Sequence, residues 1–330
     1  WINSYLAYFL TQRSFLFAFP ITLTVLALLY LGATKNKRLY FTVAGFLAGV
    51  LPLVQVHSLL VIFILCAFYS IWNIIATKYN KNTILNWGIF ALVVAVVSFP
   101  LFTAISQHSN VLSFIRYAPG WNAKENIILF WWKNLGLFAP ILAISMFWVF
   151  KNNRYLFNLY LPFLFIFTIS NIFVFQPWEF DNSKLLIYWY FASCVLVSYF
   201  LIDQFFSNSR AMKLIGTVFV FVMIFASAID IFRTFTPLTR YRIFSAEELA
   251  VAASIKQLTP KETIFATSFD HNHPVPALTG RSTVVGFGGW LWSHGIKYEQ
   301  RAADITYLYQ GAPNVDEIIK KYNISYIAMG

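Results

Sequence analysis

No aspartate or glutamate occurs before Glu125, and only 13 occur in all 330 residues. A carboxylate pair for general acid and base work is therefore excluded from everything upstream of that residue. Cysteine is nearly absent too: Cys66 and Cys194 both lie inside apolar runs, where they behave as small hydrophobes. They make neither a disulfide framework nor a zinc site. No G-x-S-x-G, Walker or kinase phrase is present. Gly286, Gly288 and Gly289 do not form the G-x-G-x-x-G of a dinucleotide site. The chain shows neither an internal repeat nor a low-complexity segment. Starting at Trp1 with no visible cleavable signal peptide, it reads as an internal or C-terminal piece of something longer.

What is present is hydrocarbon. Hydrophobic residues make up 59% of the chain and aromatic residues 20%, while charged residues make up only 11%. A soluble domain carries about 25% charged residues. Several uncharged apolar runs reach the roughly 20 residues that a helix needs to cross a bilayer. The fold class is therefore mainly α, a polytopic transmembrane helical bundle. Its eight expected spans cover about 15–31, 40–54, 57–76, 84–105, 127–150, 155–175, 185–206 and 214–232.

The net charge of +11 raises the question of a nucleic-acid partner, and the placement of the charges answers it. The loops "GATKNKR", "TKYNKN", "KNNR" and "SNSRAMK" hold nine basic residues and no acidic one. Such loops face the cytoplasm. Much of the charge is an orientation signal, and nucleic acid drops out. The partner is the lipid bilayer of the cell membrane. Residues 40–76 read as a hairpin with its tip near Pro52–His57, its first arm loosened by Gly45, Gly49 and Pro52.

With the basic loops inside, the outer face collects residues 1–13, the hairpin tip near His57, residues 106–126, the phrase "QPWEFDNSK" and everything after about residue 233. The bundle is expected over residues 1–233. Residues 234–330 read as a small extracytoplasmic α/β domain. Ser245 and Glu248 form a capping-box phrase before an amphipathic helix. "TIFATS" and "ISYIAMG" read as strands, and 297–310 and 314–323 as helices.

Glu179, Asp181, Asn182 and Lys184 are the strongest polar constellation of the bundle. At a membrane–water interface they could orient a phosphate or sugar hydroxyls, or hold a divalent cation. Equally, Asp181 and Lys184 could simply pair as the next helix begins. Trp178, Pro177 and the following "YWY" add an aromatic wall. His57, with Gln55 two residues before it, is either a packing residue or part of the same outer site. Lys133 can snorkel outward. The outer loop with Arg116, Tyr117 and Trp121 suits the interface, where cations meet lipid phosphate. In the C-terminal domain, "DHNHPVPALTGR" holds Asp270, His271, His273 and Arg281, and "GFGGWLWSHG" holds Trp290, Trp292 and His294. The H-x-H spacing suits a metal but fixes no third ligand. The tryptophans suit stacking on a sugar or packing on the bundle.

The phrases "LTQRSFLFAFP", "GFLAGVLPLVQVHS", "PWEFDNSKLLIYW" and "GFGGWLWSHGI", spread over nearly the whole chain, resemble an uncharacterised prokaryotic branch of the GT-C class of integral-membrane glycosyltransferases. The resemblance implies transfer of a sugar from a polyprenyl-phosphate donor at the outer membrane face. It also implies a catalytic acidic residue in the first outer loop, which is expected upstream of Trp1. His57, Arg116, Asp181 and Lys184 then support the donor phosphate or the acceptor. Two other readings stand beside it: a transporter or lipid flippase, and a binding module on a membrane anchor.

Overall fold

The structure, a computed structural model, describes residues 3, 5–106, 115–121, 123–176, 178–237 and 240–329, with 105, 106 and 293 described by backbone alone. It divides into two compact units, the first running to Phe235 and the second following from Thr236.

The first unit is helical: α1 (Arg13–Lys35), α2 (Arg38–Gly49), α3 (Leu51–Val54), α4 (Val56–Ala76), α5 (Lys81–Ser106), α6 (Ile127–Leu135), α7 (Phe138–Asn152), α8 (Arg154–Ser170), α9 (Ser183–Leu201) and α10 (Arg210–Thr234). Five segments are long and apolar enough to cross a membrane: α1, α4, α5, Glu179–Phe206 and α10. A sixth arises if α6 and α7 count as one span, bent by 97°. The outward surface is apolar, with Phe17, Leu39, Phe99 and Phe221 all exposed. Over α10 only 6% of the apolar window is covered by protein. Lipid is the solvent that such a surface fits.

Side chains cap several helices at their starts. The Asn126 carboxamide accepts from the Ile128 N–H at 2.9 Å to open α6, and Asn153 accepts from Leu156 at 3.0 Å to open α8. The straight span expected over 127–150 is instead turned at Gly136, whose φ of 53° and ψ of −132° only glycine adopts without strain. Lys133, expected to snorkel, pairs with Glu125 at 2.7 Å.

The glycines of the 40–76 hairpin do not break its first arm. Helix α2 runs through Gly45 to Gly49 and lies between α1 and α5. A Cβ at Gly45 would stand 2.9 Å from the Phe90 carbonyl oxygen, and one at Gly49 would stand 2.6 Å from Val97 Cβ. The two glycines, four apart on one helix face, let two backbones meet, as small residues do between membrane helices. The actual break is at Gln55, which is extended (φ −163°, ψ 108°) between α3 and α4.

The two ends of this unit differ. At one end Asn86 donates to Asn36 at 3.0 Å, Trp87 donates to Asn73 at 3.1 Å, and Trp72 meets the Tyr155 ring. The basic loops lie at this end. At the other, β1 (Arg116–Tyr117) pairs antiparallel with β2 (Phe173–Val174) beside the start of α9. The "EFDN" residues form a 3₁₀ turn there, Glu179–Asn182.

The second unit contains α11 (Ala246–Leu258), β3 (Ile264–Ala266), β4 (Ser282–Thr283), α12 (Gly288–Ser293), α13 (Glu299–Tyr309), α14 (Val315–Tyr322) and β5 (Tyr326–Ile327). Its sheet is parallel in the order β4-β3-β5. Parallel strands need crossovers and covered faces, and the core of Ala266, Val284, Ile305, Leu308 and Ile318 supplies that cover. Both halves of the Ser245–Glu248 capping box form. Buried Asp304 ties α13 to α14, accepting from Lys321 at 2.7 Å, Tyr322 at 2.6 Å and Gln300 at 2.8 Å. The Lys321 ammonium and the Tyr322 hydroxyl hold its carboxyl below the usual range.

Candidate functional site

Polar side chains gather where the α3–α4 break meets the start of α9. Gln55 and Ser58 are buried, and the Ser58 hydroxyl donates to Gln55 Oε1 at 2.7 Å. With that proton committed, the 2.6 Å contact between Ser58 and Tyr188 is the Tyr188 hydroxyl donating to Ser58. Thr22 completes the group, 3.3 Å from Tyr188. The row ends on an unpaired donor, because Gln55 Nε2 is buried without a hydrogen-bond partner among the described residues.

His57 stands beside it with the same deficit. Both ring nitrogens are buried and neither has a partner of normal geometry among the described residues. Buried Gln176 comes within reach of the ring, and Lys184 and Asp181 lie close enough to act on its charge. A buried polar atom left unpaired costs about 1–3 kcal/mol. Three such nitrogens within two neighbouring side chains therefore mark a place that something else can complete.

The expected constellation splits in two. Lys184 and Asp181 do pair, at 3.0 Å and largely shielded, on the side facing His57. Arg116 pairs with Glu179 at 2.8 Å, but both side chains are about half exposed, at 44% and 50%. Asn182 is a scaffold residue. It is fully buried, accepts from the Phe175 N–H at 3.1 Å, and donates to the carbonyls of Ser170 and Phe173 at 2.7 and 2.8 Å. Its amide holds the turn between α8 and α9 and leaves no group for a ligand. Pro177, and positions 107–114 and 122 of the expected interfacial loop, lie outside the described residues.

Two cavities flank this cluster. One, of about 470 Å³, begins at the Tyr188 ring and runs between α1, α4, α8 and α9 to Tyr30, Trp72 and Tyr155 near the basic end. Its walls are mostly aliphatic and aromatic side chains, with Thr34 and Asn73 among them toward the basic end. The other, of about 450 Å³, lies among the Tyr5–Leu10 turn, α6, the first half of α9 and the end of α10. Tyr8 and Ser183 line it, and burial pushes the Tyr8 phenol up to about 12, so it stays a neutral hydroxyl.

In the second unit the structure brings only some of the expected residues together. The loops after β3 and β4 meet at the C-terminal edge of the sheet, where the His271 ring lies 5.0 Å from Phe287 and 4.6 Å from Trp290. The His294 Nδ1–H donates to the Trp290 carbonyl at 2.8 Å, and Trp292 is partly exposed on the same short helix α12. His273 turns away: its Nδ1 accepts from the Val275 N–H at 3.2 Å, and burial lowers its pKa. Arg281 is buried at the end of α11, donating to the carbonyls of Lys256, Thr259 and Thr279. Among the described residues no three His, Cys, Asp or Glu side chains gather closely enough to hold a metal ion.

Tyr188, Ser58 and Thr22 are functional candidates that the sequence reading passed over. Their signal was a hydroxyl within an otherwise apolar span. Comparison of the chain with protein-family models and with curated proteins found no match.

Proposed function

We propose that this chain is a glycosyltransferase-like membrane protein that takes its sugar from a polyprenyl-phosphate donor at the outer face. The observation that carries the proposal is the group of three unpaired buried nitrogens on Gln55 and His57, beside the Asp181–Lys184 pair. A phosphate offers oxygens to the Gln55 amide and to one His57 N–H, and negative charge to Lys184. The second His57 nitrogen is left to accept from a hydroxyl of the attached sugar. Charge-assisted bonds of this kind are the strong ones. The prenyl chain follows the apolar cavity that starts at Tyr188, whose ring lines it while its hydroxyl belongs to the head site.

In this reading the acidic-loop end faces outward, because the nine basic loop residues lie at the other end. Helices α2–α3 and α8 then serve as shorter crossings within the bundle, which brings the spans to eight. When the sugar leaves, charge grows on the phosphate, and Lys184 with the Gln55 and His57 donors is placed to steady it. These residues hold the donor, and none of them is assigned as the base.

A transporter or flippase is the second reading. It is favoured by the two broken elements, at Gln55 and at Gly136, since broken helices often line transport paths. One experiment separates the two. Reconstituted full-length protein should consume the lipid-linked sugar, and Asp181→Ala or Lys184→Ala should lower consumption roughly ten-fold or more at equal membrane abundance. Equal turnover by both variants would remove the pair from the site. Passage of the intact lipid between leaflets, without consumption, would favour the second reading.

A further inference from the structure

The second cavity has a lining that the donor site does not need. Among the described residues, half of its lining is aromatic and none of it is charged. Trp121, Phe130 and Trp131 stand edge to face along one wall, with ring centroids 6.4 and 5.4 Å apart. Trp121 Nε1 is buried and has no hydrogen-bond partner among the described residues. Asn134, also in the wall, donates from its amide nitrogen to the Phe130 carbonyl at 2.8 Å, while its Oδ1 accepts no hydrogen bond among the described residues. Three of the neighbouring polar groups are already engaged: Asn3 donates to the Ser227 carbonyl at 3.1 Å, Trp131 donates to Asn171 at 2.8 Å, and the Ser183 hydroxyl donates to the Phe180 carbonyl at 2.5 Å; the hydroxyls of Tyr5, Tyr8, Tyr190 and Ser227 add further polar edges to the lining.

Trp121 Nε1 and Asn134 Oδ1 therefore stand as an unused donor and an unused acceptor among ring faces. A charged ligand would be buried there without a counter-charge, which is costly. A bare alkyl chain would leave the Trp121 N–H unpaired. A group that is both flat and apolar on one face, and both donor and acceptor at its edge, fits all of these constraints. We infer that this cavity binds a neutral pyranose ring carried on an apolar chain, with a ring hydroxyl accepting from Trp121 Nε1 and another donating to Asn134 Oδ1. The site is separate from Lys184 and His57, and the inference stands whether or not the chain transfers sugar.

A photoactivatable alkyl glucoside, with a diazirine on the sugar, tests this on the full-length protein in lipid nanodiscs. The label is expected on Trp121, Phe130 or Asn134. Trp121→Phe keeps an aromatic face but removes the N–H together with the smaller ring of the indole, and should cut the yield about five-fold or more, at least the range of one neutral hydrogen bond. Should that variant fail to accumulate, Asn134→Leu removes the acceptor instead, and a similar loss is expected. Lys184→Ala should leave the labelling unchanged, which keeps this test apart from the donor site. Labelling elsewhere, undiminished yield in the variants, or equal labelling by a chain-matched phosphocholine probe would overturn the inference.

Discussion

Replacing Arg281 with methionine is expected to weaken the second unit by about 3 kcal/mol, since hydrogen bonds to a charged donor contribute about 1.5–3 kcal/mol each and are not additive. Arg281 is only 7% exposed and has no carboxylate partner among the described residues. Its Nε donates to Thr259 Oγ1 at 3.1 Å, one terminal nitrogen donates to the Thr279 carbonyl at 2.9 Å, and the other donates to the carbonyls of Lys256 at 2.9 Å and Thr259 at 2.5 Å. Lys256 and Thr259 close α11, where the last helical carbonyls lack intrahelical partners and a cation is favoured by the helix dipole. Methionine would fill the space of the stem and leave those carbonyls unpaired. Lysine would keep the charge and lose the planar fork, so its effect should be intermediate.

Hydrogen–deuterium exchange on the full-length protein reads this directly. Amides of α11 should exchange roughly a hundred-fold faster in Arg281→Met, the rate equivalent of about 3 kcal/mol. Unchanged protection would mean that Arg281 does not hold the helix, and would return it to the ligand-binding candidates.

The second large effect is steric. Gly49→Ala would place a methyl group 2.6 Å from Val97 Cβ and 2.9 Å from its Cγ1, closer than carbon atoms tolerate. The flanking Val94 carbonyl, 3.4 Å away, limits sliding along the helix. Helices α2 and α5 must then separate along their shared face, at about 3 kcal/mol, the upper part of the usual range for overpacking. A fall of about 5–10 °C in the unfolding temperature of the detergent-solubilised protein is expected. Adding Val97→Gly removes both contact atoms and should restore most of the loss. A single variant as stable as the parent, or a double variant no better than the single, would contradict the close α2–α5 approach.

Much of the architecture was legible because lipid imposes a simple rule on sequence. Apolar runs had to become helices, and the basic loops had to share one end. The capping-box phrase at Ser245 and Glu248 announced α11 for a local reason, since all its partners lie within one turn. The misreadings share a different cause. Gly45 and Gly49 read, with Pro52, as residues that loosen the first arm, although the glycines' spacing of four is also the signature of close helix contact, and only the partner helix decides between the two. The turn at Gly136 rests on a ψ that glycine permits but does not announce.

The site followed the same division. Asp181, Lys184 and His57 stood out as charged or titratable groups near apolar segments, and the structure places them together. Asn182 stood out equally, yet its partners at 170, 173 and 175 are backbone groups with no signature in the sequence. Arg281 is misleading in the same way. Tyr188 and Ser58 went unnoticed because a hydroxyl inside an apolar span is common, and here two spans distant in sequence had to bring them together.

In the proposed function, Gln55, His57 and Lys184 bind a phosphate at the head of an apolar groove. Equilibrium binding to the full-length protein, comparing a polyprenyl phosphate with the polyprenol of the same chain length, tests it most directly. The parent should favour the phosphate by roughly ten-fold or more, as charge-assisted bonds require, and His57→Phe and Lys184→Met should each erode that preference while still binding the alcohol. Equal binding of phosphate and alcohol by the parent would contradict the claim.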